Sequence, residues 1–276
     1  MSIMSRVLAG YRRRPSGRVL ACAAVLLGST TCGAGTGPGE DSGNNEPPGF
    51  TPLTEHPFNT ITNSDSGALG QWSSNGGMFA IVNDRTAPRS APNVGQFTYP
   101  AGFHAGSAPG SIESDNLSNV TQLYLSFWMK LSSNFQGEGS NTNKVLFVWL
   151  SGHPAVFLSN EGSGTGAPLM PTVRYQGSVD SREYFYQNVG TSQAMTRGQW
   201  RRWEVVLLAN TPGQANGVIR WWIDGRKVGE YTDVRFRSAA DPWQWVFLQP
   251  IWGGVSGTVA STQYLWIDHL YVSGHS

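Results

Sequence analysis

The sequence has only two cysteines among its 276 residues, and both Cys22 and Cys32 lie near the amino terminus. The remainder of the chain therefore has no disulfide available, and its packed core must supply the stability of the fold. Charged residues are scarce at 13%, no amphipathic helical stretch is visible, and no internal repeat recurs along the chain. These absences argue against a disulfide-stapled scaffold, a helical bundle, and a propeller or solenoid.

Glycine and aromatic residues are abundant, with 34 Gly, 16 Pro and 11 Trp. Short runs of β-branched and aromatic residues alternate with Gly, Pro, Asn and Ser, which is typical of an all-β sandwich. The clearest case is residues 203–208 and 218–223, two predicted strands joined by a loop. Asp224 and Gly225 follow, and both tolerate the positive φ of a two-residue type I′ turn. We predict an all-β fold of roughly ten to twelve strands in two packed antiparallel sheets, a jelly roll.

The first 32 residues have the pattern of an export signal. Arg12, Arg13, Arg14 and Arg18 form a basic segment, and residues 19–28 form an apolar run too short to span a membrane. Cys32 follows this run and resembles the lipidation site of a bacterial lipoprotein, with ordinary cleavage nearby as the alternative. The sequence therefore predicts an exported protein, either a lipoprotein of the outer membrane or cell surface or a periplasmic protein.

The domain boundaries follow from composition. Residues 1–32 are the predicted signal, the Gly/Pro-rich residues 33–52 are a predicted flexible tether, and residues 53–276 are the predicted jelly roll, expected to be monomeric. Membrane contact is expected only through the lipid anchor. No basic footprint for nucleic acid is visible, although residues 170–240 carry a basic excess that fits either an anionic ligand or scattered surface charge.

The common catalytic motifs are missing. The sequence has no G-x-S-x-G, no H-E-x-x-H, no phosphate-binding loop and no dinucleotide fingerprint. Its five histidines are scattered without metal-ligand spacing. The Glu-x-Asp-x-x-Glu strand that jelly-roll glycosidases use is also missing, which argues against hydrolysis by two carboxylates. No cofactor and no metal are expected.

A basic and phenolic set remains, comprising Lys144, Thr172, Arg174, Tyr184 and Tyr186. Thr172 and Arg174 share one face of a predicted strand, as do Tyr184 and Tyr186. The two strands are predicted to pair around residues 177–181. Lys144 is predicted to share a strand face with Leu146 and Val148.

These groups suit β-elimination on a uronic-acid polymer. Arg174 can neutralise the uronate carboxylate through bidentate hydrogen bonds, which acidifies the adjacent C–H. A tyrosine can then take the proton if Lys144 and Arg174 lower its pKa, and a second group can protonate the leaving oxygen. The alternative is a solvated strand face whose Arg and Tyr only form cross-strand pairs.

The carboxyl-terminal motifs resemble those of polysaccharide lyases. The similarity covers roughly residues 95–273 and rests on residues 210–214, 216–217, 222–225, 232–236, 252–254 and 266–268. They resemble lyases of family 14 and heparin-lyase-like proteins, which have concanavalin-type jelly rolls. The family pattern of a Lys, a Ser-x-Arg and a Tyr-x-Tyr corresponds to Lys144, to Thr172 and Arg174, and to Tyr184 and Tyr186, with Thr172 replacing the Ser and keeping its hydroxyl. The resemblance implies that Tyr184 and Tyr186 are base and acid, that Arg174 neutralises the carboxylate, and that Lys144 contacts substrate.

The sequence therefore favours a lyase acting on an acidic polysaccharide such as an alginate-like or glucuronate polymer. Thr172, Trp222, Trp252 and His104 are predicted to bind substrate, the tryptophans by stacking on sugar rings. A non-catalytic carbohydrate-binding module of the same fold is the first alternative. A structural or adhesive surface protein is the second.

Overall fold

The computed structural model describes residues 45–58, 71–114, 117, 119–152 and 154–276. The predicted export signal, Cys32 and residues 33–44 of the predicted tether lie outside the described residues. So do residues 59–61 of a strand predicted over 58–61. No helix in the described ranges has the length and apolar character needed to cross a membrane.

Fifteen strands make up the described fold. They are β1 Thr51–His56, β2 Gln71–Ser74, β3 Phe79–Asn83, β4 Asn93–Tyr99, β5 Gly110–Ser114, β6 Gln122–Leu131, β7 Thr142–Leu150, β8 Ala155–Glu161, β9 Met170–Gln176, β10 Tyr184–Phe185, β11 Arg201–Leu208, β12 Gly217–Ile223, β13 Arg226–Val234, β14 Trp243–Leu248 and β15 Gln263–His275. This count exceeds the ten to twelve strands predicted, and the four-residue β2 is among the strands too short to show an alternating pattern.

The strands form two antiparallel sheets. The back sheet has the order β13-β12-β11-β6-β15-β4-β3, with β1 also paired to β15, and the front sheet has the order β10-β9-β8-β7-β14-β5-β2. One hydrophobic core lies between them and contains residues of both sheets. The predicted two-sheet jelly roll is confirmed.

Strand β6 shows how alternation builds the core. Leu123, Leu125, Phe127 and Met129 are buried in the core cluster, while Lys130 is only partly buried on the other face. The alternation of residues 123–130 in the sequence predicts this division, with Leu123, Leu125, Phe127 and Met129 on one face and Lys130 on the other. Burial of four such side chains on one strand stabilises the fold by several kcal/mol, at about 1.5–3 kcal/mol each.

The predicted hairpin between β12 and β13 is also confirmed. Asp224 has φ 51° and Gly225 has φ 73°, the left-handed values that a type I′ turn needs at both central positions. Ile223 pairs with Arg226 across this turn.

The sandwich begins earlier than residue 53. The side chain and backbone of Asn45 donate hydrogen bonds to the buried Glu204 carboxylate at 3.1 and 3.0 Å. Glu46 accepts a hydrogen bond from the Tyr271 hydroxyl at 3.0 Å, and Thr51 already pairs with β15. The polar composition of residues 45–52 hides these contacts, because they are made by side-chain amides and carboxylates and by backbone groups.

A glycine in β13 makes room for a core tryptophan. Gly229 pairs with Trp221, and a Cβ at Gly229 would lie 2.0 Å from the buried Trp221 ring. Replacing Gly229 by alanine is therefore expected to destabilise the protein by about 1–3 kcal/mol through overpacking. Chemical denaturation measures this. Gly139→Ala is the control, since Gly139 is exposed with nothing near its Cβ, and it should change stability by less than about 0.5 kcal/mol.

Candidate active site on the outward face of the front sheet

One row of side chains crosses the outward face of the front sheet. Successive cross-strand pairs join Phe247 to Phe147, Phe147 to Phe157, Phe157 to Arg174, and Arg174 to Tyr184. Directly paired residues point to the same face of a sheet. Their sequence neighbours belong to the core, so this row, which we call the central row, faces away from the core.

A β-bulge brings Lys144 onto the same face. Lys144 pairs with Ser159 and Leu146 pairs with Leu158, which leaves Val145 as the extra residue. Val145 and Leu146 both join the core. The prediction that Lys144 shares its face with Leu146 and Val148 is therefore wrong, because a bulge interrupts the two-residue alternation. In the structure Lys144 lies on the outward face, and its ammonium is 5.7 Å from the Phe147 ring centroid and 5.2 Å from that of Phe157.

Arg174 is the centre of the charged contacts. Its side chain donates a hydrogen bond to the Thr142 hydroxyl at 2.7 Å, forms an ion pair with Glu183, and lies 3.7 Å from a Glu161 oxygen. The guanidinium also lies 4.0 Å from the Tyr184 ring centroid. Arg174 is only 7% exposed, whereas the Glu183 side chain is 55% exposed. Glu183 therefore covers the solvent side of the guanidinium.

Tyr184 and Tyr186 form a stacked pair beside Arg174. Their ring centroids are 5.4 Å apart with an interplanar angle of 13°, and the residues are 37% and 56% exposed. The predicted cross-strand neighbourhood of Arg174 and the Tyr-x-Tyr segment is confirmed by the pairing of β9 with β10. The phenols are thus presented to solvent at one end of the central row.

Lys144 is a partly buried amine without a counter-ion. Among the described residues, its Nζ atom makes no hydrogen bond and no ion pair. Burial and the nearby Arg174 charge lower the pKa of Lys144, and Glu161 opposes them only in part. The neutral amine is therefore more favoured for Lys144 than it is for a lysine exposed to solvent.

The tyrosine pKa differs from the expectation. Burial and the charges of Tyr184 and Glu161 raise the pKa of Tyr186, and Arg174 opposes them only in part. The prediction that neighbouring cations would lower the pKa is wrong for Tyr186, because burial, followed by the charges of Tyr184 and Glu161, outweighs the effect of Arg174. Tyr186 is thus held as a phenol, the form that can donate a proton.

Two functional carboxylates were missed by the sequence reasoning. Glu161 accepts a hydrogen bond from Ser159 at 2.6 Å and lies near Arg174, and Glu183 pairs with Arg174 directly. The available signal was alternation, since Ser159 and Glu161 are two residues apart at the end of β8. Glu183 immediately precedes Tyr184, in the connection that follows β9.

The other predicted substrate contacts lie elsewhere. Thr172 lies on the outward face, but it is buried and donates to the Met170 carbonyl at 3.1 Å. Trp252 is 2% exposed and donates to the Gln136 carbonyl at 2.8 Å, which corrects its sugar-stacking role. Trp222 lies in β12 of the back sheet, so it cannot belong to this face. His104 is exposed on a loop and pairs with Thr258, with no contact to the Arg174 cluster among the described residues.

The basic excess of residues 170–240 is used inside the fold. Arg182, Arg201 and Arg220 each form an ion pair with a nearby carboxylate. Arg197 donates to three backbone carbonyl groups. These four arginines are therefore engaged by neighbouring groups of the fold.

No cluster of three or more His, Cys, Asp or Glu side chains with metal-binding geometry occurs in the described ranges. Asp268 on β15 is buried and accepts hydrogen bonds from the backbone of Arg89 and Ser90 at 2.7 and 3.1 Å. Its role in the described structure is to hold that loop against β15.

The fold of the described residues places the chain among two-sheet antiparallel jelly-roll proteins. No protein-family model and no curated protein matches the sequence. Solved structures do match it, and the resemblance to polysaccharide-lyase jelly rolls is confirmed at the level of the fold.

Lyases are among these solved structures. The marine family 14 alginate lyase from Aplysia kurodai matches with a TM-score of 0.59 at 12% identity, over 82% of this chain and 100% of that one. A mutant of alginate lyase Aly36B in complex with an alginate tetrasaccharide matches with a TM-score of 0.58 at 15% identity, over 81% and 95%. The endo-β-1,4-glucuronan lyase from the fungus Trichoderma reesei matches with a TM-score of 0.52 at 13% identity, over 82% and 96%.

Proposed function

We propose that the protein is a polysaccharide lyase that cleaves a uronate-containing polysaccharide by β-elimination. The observation that carries the proposal is that Lys144, Arg174 and the Tyr184–Tyr186 pair meet on one outward face. An amine with a lowered pKa and a phenol with a raised pKa are a matched base and acid. The activities named for the solved structures of similar fold, on alginate and glucuronan, support the same reaction class.

The reaction uses each group for one step. The Arg174 guanidinium binds the uronate carboxylate, which acidifies the adjacent C–H. The neutral Lys144 amine takes that proton, and the C–H electron pair forms the new carbon–carbon double bond. The glycosidic C–O bond breaks, and the Tyr186 phenol protonates the departing oxygen. Lys144 is thus the base, whereas the sequence resemblance implied only a substrate contact.

Arg174 must exchange partners for this scheme to work. Glu183 occupies the solvent side of the guanidinium and is itself half exposed. A uronate carboxylate can take the place of the Glu183 carboxylate. Because one anion replaces another, Arg174 keeps a negatively charged partner. Thr142 and Glu161 hold the guanidinium from the buried side throughout.

The test is an ultraviolet absorbance assay for the unsaturated uronate product. The full chain is incubated with alginate, glucuronan, hyaluronan and heparin. Product from one or more polymers supports the lyase. Saccharide binding without any product on the polymer that binds would instead identify a carbohydrate-binding module.

The pH dependence of kcat/KM should follow from the two shifted groups. Below the lowered pKa of Lys144 the ammonium is protonated and cannot accept a proton, so activity rises as pH increases through that value. Above the raised pKa of Tyr186 the phenol has lost the proton it must donate, so activity falls again. Initial rates across neutral and alkaline pH measure this profile. A rate that decreases steadily from neutral to alkaline pH would contradict the assignment.

We propose further that the enzyme acts outside the cytoplasm as an exported lipoprotein anchored through Cys32. The basic and apolar segments ahead of Cys32 are the basis of this proposal. A polymeric substrate that cannot cross a membrane is consistent with that location.

A further inference from the structure

The charges on the outward face of the front sheet cancel. On β7 to β10, β14 and the residue preceding β10, the described side chains include two cations, Lys144 and Arg174, and two carboxylates, Glu161 and Glu183. Both carboxylates contact Arg174. A site built for a polymer with a carboxylate on every sugar would gain both affinity and association rate from an excess of cations. The described side chains on these strands show no such excess.

Aromatic side chains continue from the charged cluster toward β14. Phe147 and Trp149 stack with ring centroids 6.2 Å apart and an interplanar angle of 17°. The ring centroids of Trp149 and Phe247 are 6.4 Å apart. Trp149 and Phe247 are partly exposed. Phe147 itself is buried, so the surface next to Lys144 is an aromatic platform defined by Trp149 and Phe247.

An aromatic platform favours neutral sugars over uronates. The C–H face of a sugar ring packs on an aromatic ring, and ligand sites generally combine such apolar walls with a few fixed polar groups. A carboxylate at the same place would lose hydration without a cationic partner and would face the negative side of the ring quadrupole. A chain with one uronate at Arg174 and neutral sugars beside it fits both parts of the face.

We infer that the substrate is a polysaccharide of low charge density, in which the reacting uronate is flanked by neutral sugars that stack on Trp149 and Phe247. This inference rests on the proposed lyase function and specifies its substrate. It separates this protein from enzymes whose polymers consist of uronates alone, such as alginate and glucuronan.

The experiment compares two classes of polymer by steady-state kinetics with the full chain. Hyaluronan, unsulfated chondroitin and heparosan alternate glucuronate with a neutral amino sugar, whereas alginate and glucuronan carry a carboxylate on every residue. The best alternating polymer should give a kcat/KM at least about tenfold higher than either homopolymer, a factor equivalent to one stacking contact. Its KM should change little with added sodium chloride, since few charges are paired.

Variants locate the effect on the platform. Trp149→Ala should raise KM for the alternating polymer about tenfold while Trp149→Phe stays near the wild-type value. Trp222→Ala is the matched control, because Trp222 is a similarly half-buried tryptophan on the back sheet. Circular dichroism confirms that each variant folds.

These outcomes distinguish a failure of the substrate inference from a failure of the lyase function. Preference for alginate or glucuronan, or a KM that rises steeply with salt, would overturn the inference and leave the lyase intact. An unchanged KM in folded Trp149→Ala would also overturn it. Absence of unsaturated product from all five polymers would refute the lyase function and the substrate inference with it.

Discussion

Replacing Lys144 by alanine is expected to lower kcat for polymer cleavage by about 10²–10⁴-fold, the usual contribution of a positioned base. The lysine ammonium lies over the Phe147 and Phe157 rings and forms no ion pair among the described residues, so its removal breaks no ion pair there and should cost little stability. Circular dichroism and thermal melting check the fold, and the absorbance assay measures kcat.

Lys144→Arg distinguishes a base from a substrate contact. Arginine keeps the positive charge but does not give up its proton in proteins. If Lys144 is the base, the arginine variant should be as inactive as the alanine variant while still binding the polymer. If the arginine variant retained most of the activity, Lys144 would be the substrate contact that the sequence resemblance implied, and the base would have to be a tyrosine.

Tyr186→Phe is expected to reduce kcat by about 10²-fold or more, since the variant removes the proton donor and keeps the stacked ring. Tyr186 is more than half exposed and its hydroxyl forms no hydrogen bond in the described structure, so stability should be unchanged. Tyr184→Phe is the matched comparison, with an expected loss below about tenfold. The descending alkaline limb of the pH profile should disappear with the Tyr186 hydroxyl.

The opposite ranking of the two tyrosine variants would reassign the acid to Tyr184. Tyr184 lies against the Arg174 guanidinium and stacks on Tyr186. The two tyrosine variants must therefore be compared directly. Equal and small losses in both variants would contradict a tyrosine acid altogether.

Much of the fold follows from short-range sequence signals. Asp224 and Gly225 predict their turn because few other residues accept two successive left-handed conformations. The alternation in β6 predicts its buried face because one side of that strand meets the core along its whole length. Arg174 and Tyr184 could be placed on one face because a short connection forces β9 and β10 to pair.

The incorrect predictions concern residues whose positions depend on packing between parts of the chain that are distant in sequence. The bulge at Val145 places Lys144 on the face opposite to Leu146 and Val148, and the alternation of residues in β7 does not predict this bulge. Trp252 looks like a sugar-stacking residue in sequence, yet its indole completes the core and donates to a carbonyl in a distant loop. Glu183 escaped notice because its importance depends on the position of Arg174 in another strand.

Two carboxylates beside the reacting position also raise the competing chemistry of hydrolysis, which glycosidases carry out with a carboxylate pair. Elimination and hydrolysis break the same kind of bond, and only hydrolysis adds the oxygen of water to the product. The most direct measurement is therefore mass spectrometry of the fragments formed in water labelled with heavy oxygen. Cleavage by β-elimination gives fragments that carry an unsaturated uronate at the new non-reducing end and contain no labelled oxygen from the cleavage step. Saturated fragments, with one labelled oxygen incorporated at the new reducing end for each bond broken, would show hydrolysis and contradict the lyase.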